Sequence, residues 1–279
     1  MTVDSGTGFI VLRASGTMIA VDARTGERPR ILYAGPDLPD ATPEELEDLA
    51  KRQHAPGGPQ QPITPSWLNC IGTGHPSPPG LLAHSAGKHW APDPRVTDVQ
   101  TDGKGYCRIT AIDRSSRVAL HHLINLVGDS GGAQFATILS NDGDTPISLE
   151  WLSAICLPLD PRLTRVTSFT GKWAREFQTE QHDLVRGSFV RENRAGRTSH
   201  DSYPGFYLGT ARTSETHGLA CAVHLAASGN HRMRVDRLAD DTVSLQAGDL
   251  LLPDEITLKA GEQHICAPIF AAWSDAGYG

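Results

Sequence analysis

Apolar residues in this chain come in short runs, many of them alternating with polar positions, and Gly, Asp, Asn or Pro closes most runs. A period of two marks strands that bury one face. Residues 9–13, 18–22 and 30–33 predict an opening set of strands, with Thr25-Gly26 as a turn signal. Further strands are predicted at 108–113, 117–127, 134–139, 147–157 and 165–169. The last third adds 184–191, 206–211, 219–227, 231–237, 242–245, 255–259 and 264–273. Many strands at close spacing, with turn residues between them, argue for an all-β fold: a large antiparallel β-sandwich. Asn141-Asp142-Gly143-Asp144 is a strong turn between two runs, because these residues accept positive φ.

One helix breaks the pattern. Thr42 supplies an N-cap hydroxyl, Pro43 the first helical position and Glu45 a carboxylate three residues after the cap, and the helix is expected to run through Leu46 and Leu49 to about Gln53. It is too short to be stable alone and must pack on something. Two irregular stretches follow, residues 55–66 (APGGPQQPITPS) and 72–80 (GTGHPSPPG). A long irregular segment of this kind is often functional or part of an interface. Residues 35–98 therefore read as a loop-rich insertion within one domain spanning 1–279, and no internal repeat is visible.

Length allows a sizeable core, either as one large all-β domain or as two ordinary ones. The formal charge of −7 argues against nucleic acid as a partner, which requires a clustered positive field. No apolar run approaches a membrane span, and the start MTVDSGTGFIVLRASG lacks a basic segment followed by an apolar one, so no membrane association and a cytoplasmic location are expected. Five scattered cysteines (Cys70, Cys107, Cys156, Cys221 and Cys266) show no C-x-x-C pair and read as reduced, buried thiols. The twelve histidines form no ligand pattern with a nearby carboxylate, so no metal is expected. Glycine-rich phosphate loops ending in Gly-Lys-Ser/Thr are absent, and no cofactor is expected.

Three features carry candidate chemistry. Gly128-Asp129-Ser130-Gly131-Gly132 matches the pentapeptide around a serine-protease nucleophile, but His121 and His122 precede Ser130 too closely for that arrangement. The plainer reading is a turn joining two strands, and a serine hydrolase at Ser130 is kept as the outsider. The charged stretch 191–197 is either a sugar- or anion-contacting loop or a connection after a strand, turned at Gly196. Trp67, Trp90, Trp151, Trp173 and Trp273 are the rings that could stack on a pyranose, and Trp67 draws attention because it follows the proline-rich stretch.

Residues 171–231 hold an ordered set of landmarks: Trp173 and Glu176, Leu184, Gly187, Gly196, Ser199-His200, Pro204, the 213–218 segment ending at Gly218, and Ser228-Gly229-Asn230. In order and spacing this set resembles the N-terminal β-sandwich of family 36 glycoside hydrolases, the α-galactosidases. A weaker likeness runs through residues 9–127, where Ile31-Leu32-Tyr33-Ala34-Gly35 resembles the family's hydrophobic-Tyr-x-Gly strand end. Gly72-x-Gly74 leading to Pro79-Gly80-Leu81 resembles its Gly-x-Gly…Pro-Ala segment.

The resemblance implies a supersandwich related to galactose mutarotase, a downstream (β/α)8 barrel that carries the chemistry, and homo-oligomers, tetramers in the family. It implies α-galactosides as substrates of the full-length enzyme, cleaved with retention by two carboxylates on the barrel. The nucleophile's Lys-Trp-Asp-x-Asn signature does not occur here, so no catalytic residue is assigned to this chain. A family sandwich implies subunit contact and a loop reaching a neighbouring subunit's sugar pocket, mapped onto residues 36–66. Because this segment departs from the better-known members, Asp37, Asp40, Glu47 and Asp48 all remain candidates for the acid that meets sugar, beside Trp67. The other landmarks are read as structural, His200 as making a buried hydrogen bond. The alternative to an accessory domain is a free-standing carbohydrate-binding or interaction module. An accessory domain predicts an exposed apolar patch where the barrel docks, and a binding module does not.

Overall fold

The alternating runs assemble into three antiparallel sheets in the computed structural model, which describes residues 8–51 and 64–279. Strands β1 (Phe9–Ala14), β2 (Thr17–Asp22) and β3 (Arg30–Pro36) form a three-stranded meander. Helix α1 (Pro43–Ala50) follows, closed at its start by a reciprocal capping box: the Glu45 amide donates to the Thr42 hydroxyl at 3.3 Å, and the Thr42 amide donates to the Glu45 carboxylate at 2.9 Å. The expected helix end at Gln53 and residues 55–63 of the proline-rich stretch lie outside the described residues.

After β4 (Leu81–His84), a second meander runs through β5 (Arg95–Thr101), β6 (Tyr106–Asp113), β7 (Val118–Val127) and β8 (Gly132–Asn141). The turn after Asn141 then carries the chain out of that sheet into the long β9 (Ile147–Leu159) of the other. It is thus an arch between sheets and not a hairpin, tied by the Asn141 side-chain amide to the Thr145 and Leu258 carbonyls, each at 2.9 Å. Strands β10 (Arg165–Lys172) and β11 (Arg175–Asp183) form a hairpin, and β12 (Gly187–Asn193) returns to β9's sheet. Next come β13 (Gly205–Gly209), β14 (Ala220–Leu225), β15 (His231–Arg237) and β16 (Val243–Leu250). The last three are β17 (Ile256–Leu258), β18 (Gln263–Ile265) and β19 (Ile269–Ser274).

The ten-stranded sheet has the order β11-β10-β13-β14-β19-β8-β7-β6-β5, with β18 also on β8. The six-stranded sheet has the order β12-β15-β16-β9-β17, with β4 also on β9. Their inner faces meet in one core that includes Ile109, Leu120, Ile124, Phe135, Leu157, Leu245 and Phe206. The sandwich expected from the alternation is therefore the observed fold. Three strands depart from expectation. β4 and β5 lie within or across the end of the loop-rich stretch, and β11 is polar apart from Phe177. The single run expected at 264–273 splits into β18 and β19 around Pro268, which has no N–H for a ladder.

A bulge in β9 organises the centre. Opposite β16 the register slips between Gln246 and Gly248, leaving Ala154 and Ile155 with peptide groups outside the ladder. Buried peptide groups must be paired. The Trp67 indole N–H and the Thr137 hydroxyl both donate to the Ala154 carbonyl, at 3.1 and 2.7 Å. The Ser153 hydroxyl donates to the Ile155 carbonyl at 2.7 Å, and the Cys156 amide donates to the Trp67 carbonyl.

Candidate functional site

Trp173 stands at the tip of the β10–β11 hairpin with 86% of its surface exposed. The hairpin turns through Ala174 at φ 62°, and the Glu176 carboxylate accepts the Ala174 amide at 2.9 Å. Backbone amides, its own first and that of Ala174 next, hold the Glu176 carboxyl below its usual range. Phe177, at φ 51° and 59% exposed, folds back over the sheet. Its ring centre lies 6.0 Å from Phe169 and 5.1 Å from Tyr203. Phe169 meets Tyr203 and Tyr207 edge to face at 5.6 and 5.2 Å, the geometry aromatic quadrupoles prefer.

Facing these rings is the loop after β12. Gly196, at φ 75°, donates its amide to the Asn230 side chain at 2.8 Å, and the Thr198 amide donates to the Ser228 carbonyl at 2.8 Å. Those bonds pin residues 196–198 onto the turn between β14 and β15. Arg197, Thr198, Ser199 and His200 then form the polar wall of a cleft of about 540 Å³ floored by the aromatic rings. An adjoining cleft of about 440 Å³ shares Phe169, Phe177 and Tyr203 and crosses the sheet to Tyr207 and Phe270. Its floor is small because Tyr207, Ala222, Ala272 and Gly132 lie in one cross-strand row. His224 lies beside Tyr203, 5.4 Å between ring centres. Burial, then the neighbouring His231, lowers its pKa and favours the neutral imidazole. Burial, with Tyr207 nearby, raises the Tyr203 phenol, which stays protonated. The centre of this face is uncharged, and its charges lie at the rim.

The other expected site residues are dispersed. Trp67 is a correction: it is 1% exposed, with one side stacked on His122 at 4.8 Å and an edge contact to Phe135 at 6.3 Å. Its indole serves the β9 bulge, so no face is open to a pyranose. His200 is a second correction, since it is exposed on the cleft wall and makes no buried hydrogen bond. Asp37 pairs with Arg13 at 3.3 Å, and Asp48 pairs with Lys51 on α1. Asp40 and Glu47 are exposed, and Asp40 has no ion pair among the described residues. Gly187 and Gly218 take φ of 128° and 100°, and Pro204 is buried with its carbonyl accepting the Leu225 amide. Gly229 precedes His231, whose Nδ1 contacts the Gly229 carbonyl at 3.1 Å.

Ser130 lies in a short 3-10 turn between β7 and β8, at the margin of the second cleft. Its hydroxyl donates to the Val127 carbonyl at 2.6 Å and accepts the Gly132 amide at 3.2 Å, the turn role expected of this pentapeptide. All five cysteines are free and buried, and burial pushes the Cys70, Cys107 and Cys221 thiols up to about 12. Phe169, Phe177, Tyr203, Tyr207 and Phe270 went unmarked in the sequence. The available signal was an aromatic pair, Trp173 and Phe177, inside an otherwise polar run.

The family model for the glycosyl hydrolase family 36 N-terminal domain matches residues 27–259. The chain belongs to glycosyl hydrolase family 36. It is 33% identical over 258 residues to an α-galactosidase of Escherichia coli, a match covering 91% of this chain and 35% of that protein. The α-galactosidase of Lactobacillus brevis superimposes with a TM-score of 0.87 over 99% of this chain and 41% of that one, at 16% identity. An AgaA variant of Geobacillus stearothermophilus, solved with raffinose, gives 0.84 over 96% of this chain and 41% of that one, also at 16% identity. At such identities the superpositions speak for the family 36 sandwich fold alone. The chain spans about a third of the length of its Escherichia coli relative.

Proposed function

We propose that this chain is the non-catalytic N-terminal domain of an α-galactosidase-like retaining glycoside hydrolase. Its work is to support oligomerisation and to complete a sugar pocket on a partner subunit's barrel. The observation that carries the reading is the 33% identity to an α-galactosidase along 91% of this chain. The bond-breaking carboxylates then belong to the (β/α)8 barrel: one attacks the anomeric carbon, and the other protonates the leaving oxygen and afterwards activates water. Terminal α-galactosyl groups, as in raffinose, are the substrate class. Among the four candidate acids, Asp37 and Asp48 are engaged in ion pairs, whereas Asp40, in the turn before α1, and Glu47, on α1, are exposed. The exposed aromatic face is the apolar patch expected of an accessory domain.

The test is hydrolysis of p-nitrophenyl α-galactoside by the 279-residue chain and by a polypeptide that carries it ahead of a family 36 barrel. Activity of the longer protein alone is the expected result. Hydrolysis by the short chain would overturn the reading. Binding of raffinose by the short chain in calorimetry, with an inactive longer protein, would move the binding-module account to first place.

A further inference from the structure

We propose that the cleft between β3 and the end of the sandwich is a saccharide-binding site of this domain, separate from any pocket on a barrel. β3 packs across that end against β9 and β19, and the gap beside it encloses about 440 Å³. Sites for small ligands span roughly 300–1,000 Å³. Leu32, Leu38 and Leu219 supply apolar wall, and Tyr33 and Trp273 supply rings. Asp160, Arg162 and Asp275 supply the charged groups. Trp273 is one of the rings that the sequence offers for a pyranose, and it is half-buried here. None of the four candidate acids lines the cleft, and Asp37, the neighbour of Pro36, pairs with Arg13.

The polar groups are fixed in place before any ligand arrives. In the turn after β9 the Arg162 amide donates to the Asp160 carboxylate at 2.8 Å, and the guanidinium donates to it through Nε and Nη2 at 3.0 and 2.6 Å. The Arg162 side chain thereby holds the Asp160 carboxyl below its usual range, and the two charges offset one another. The Tyr33 hydroxyl gives its proton to the Pro36 carbonyl at 2.7 Å, which leaves its oxygen as an acceptor. The Trp273 indole N–H and the Asp275 carboxylate have no partner among the described residues.

This set of groups selects the ligand. Asp160 and Arg162 offset each other, and Asp275, the remaining charge of the lining, is exposed, so the interior of the cleft does not call for an ion. An apolar guest would cut the Trp273 N–H off from water and offer it no acceptor, which is unfavourable. A saccharide meets both requirements: its C–H ring face lies against apolar and aromatic side chains, and its hydroxyls donate as well as accept. The cleft floored by Gly132, Ala222 and Ala272 on the ten-stranded sheet has no such side-chain donors and acceptors in its floor.

The experiment titrates raffinose into the 279-residue chain and follows binding by saturation-transfer difference NMR. Saturable binding is expected, weakened about fivefold in Trp273→Phe, which keeps an aromatic ring and removes the N–H. Asp275→Ala should weaken it about threefold, and because Asp275 is exposed this variant tests the site even if Trp273→Phe folds poorly. Trp173→Ala, which alters the aromatic clefts, should bind raffinose as the parent chain does. Absence of saturable binding overturns the proposal. So does binding that Trp273→Phe and Asp275→Ala leave unchanged, and a loss confined to Trp173→Ala would place the sugar on the aromatic face instead. Hydrolysis by the longer polypeptide is scored separately: a site that depends on Trp273 stands whether that protein is active, as the accessory-domain reading requires, or inactive.

Discussion

His122 shows how much a single buried side chain decides. It lies against Trp67 in the core, and Thr137, whose one proton goes to the Ala154 carbonyl, must accept from its Nδ1, so the imidazole carries its proton there. Burial, with His121 adjacent, lowers its pKa to about 3. Because the folded pKa lies below the unfolded one, the unfolded chain takes up the proton first. Stability is therefore full above about pH 6.5 and is lost as pH falls from there towards the folded value. The expected slope from this group is about 1.4 kcal/mol per pH unit, read from urea unfolding between pH 7 and pH 4. His122→Phe should flatten that part of the profile, and an unchanged slope would refute the assignment. Gly218 is a second decisive residue: at φ 100° an added Cβ would lie 2.9 Å from the Thr213 Cα. Gly218→Ala should cost about 1–3 kcal/mol in the same unfolding assay, whereas Gly229→Ala, where a Cβ meets nothing within 4 Å, should cost little.

At the scale of elements, legibility depended on burial. Strands that bury one or both faces, such as β9 with ISLEWLSAICLPL and β15 with HRMRVDR, announce themselves because core packing demands their alternation or apolarity. β11 reads REFQTEQHD, lies at a sheet edge and is mostly exposed on both sides, so no burial pattern marks it, yet it carries Phe177, which lines both clefts. Its hairpin holds Ala174 in the left-handed region, where an L side chain is strained. Ala174→Gly should therefore stabilise the protein by about 0.5–1 kcal/mol in thermal unfolding. A loss of stability there would show that the Ala174 methyl packs in a way its position does not suggest. The cap of α1 was legible for the opposite reason: Thr42, Pro43 and Glu45 act within four residues, and their hydrogen bonds need no tertiary partner.

For the whole molecule, one core joins the inner faces of the two larger sheets and the three-stranded sheet, while the outer face of the ten-stranded sheet keeps its rings in water. The exposed face should bind the dye ANS in the isolated chain. Replacing Trp173 and Phe177 together by serine should remove most of that fluorescence without changing the far-ultraviolet circular dichroism. Undiminished dye binding in this variant would place the accessible apolar surface elsewhere. Among the described residues no helix is long and apolar enough to cross a membrane.

The strand-rich sandwich, the capped helix, the buried thiols and the family were legible in the residues alone, because each is written in local periodicity, short-range hydrogen bonding or ordered motifs. What individual residues do was settled by long-range packing. Trp67 and Trp173 are equally aromatic and equally close to loops, yet the β9 bulge draws Trp67 inward to satisfy a peptide carbonyl, and the hairpin tip carries Trp173 out to solvent. His200, read as buried, lies in the open beside that ring because the loop that holds it is pinned at Gly196 and Thr198 to a turn some thirty residues further on. Burial depends on what folds over a residue, and contacts that distant in sequence leave no periodicity from which they could be read.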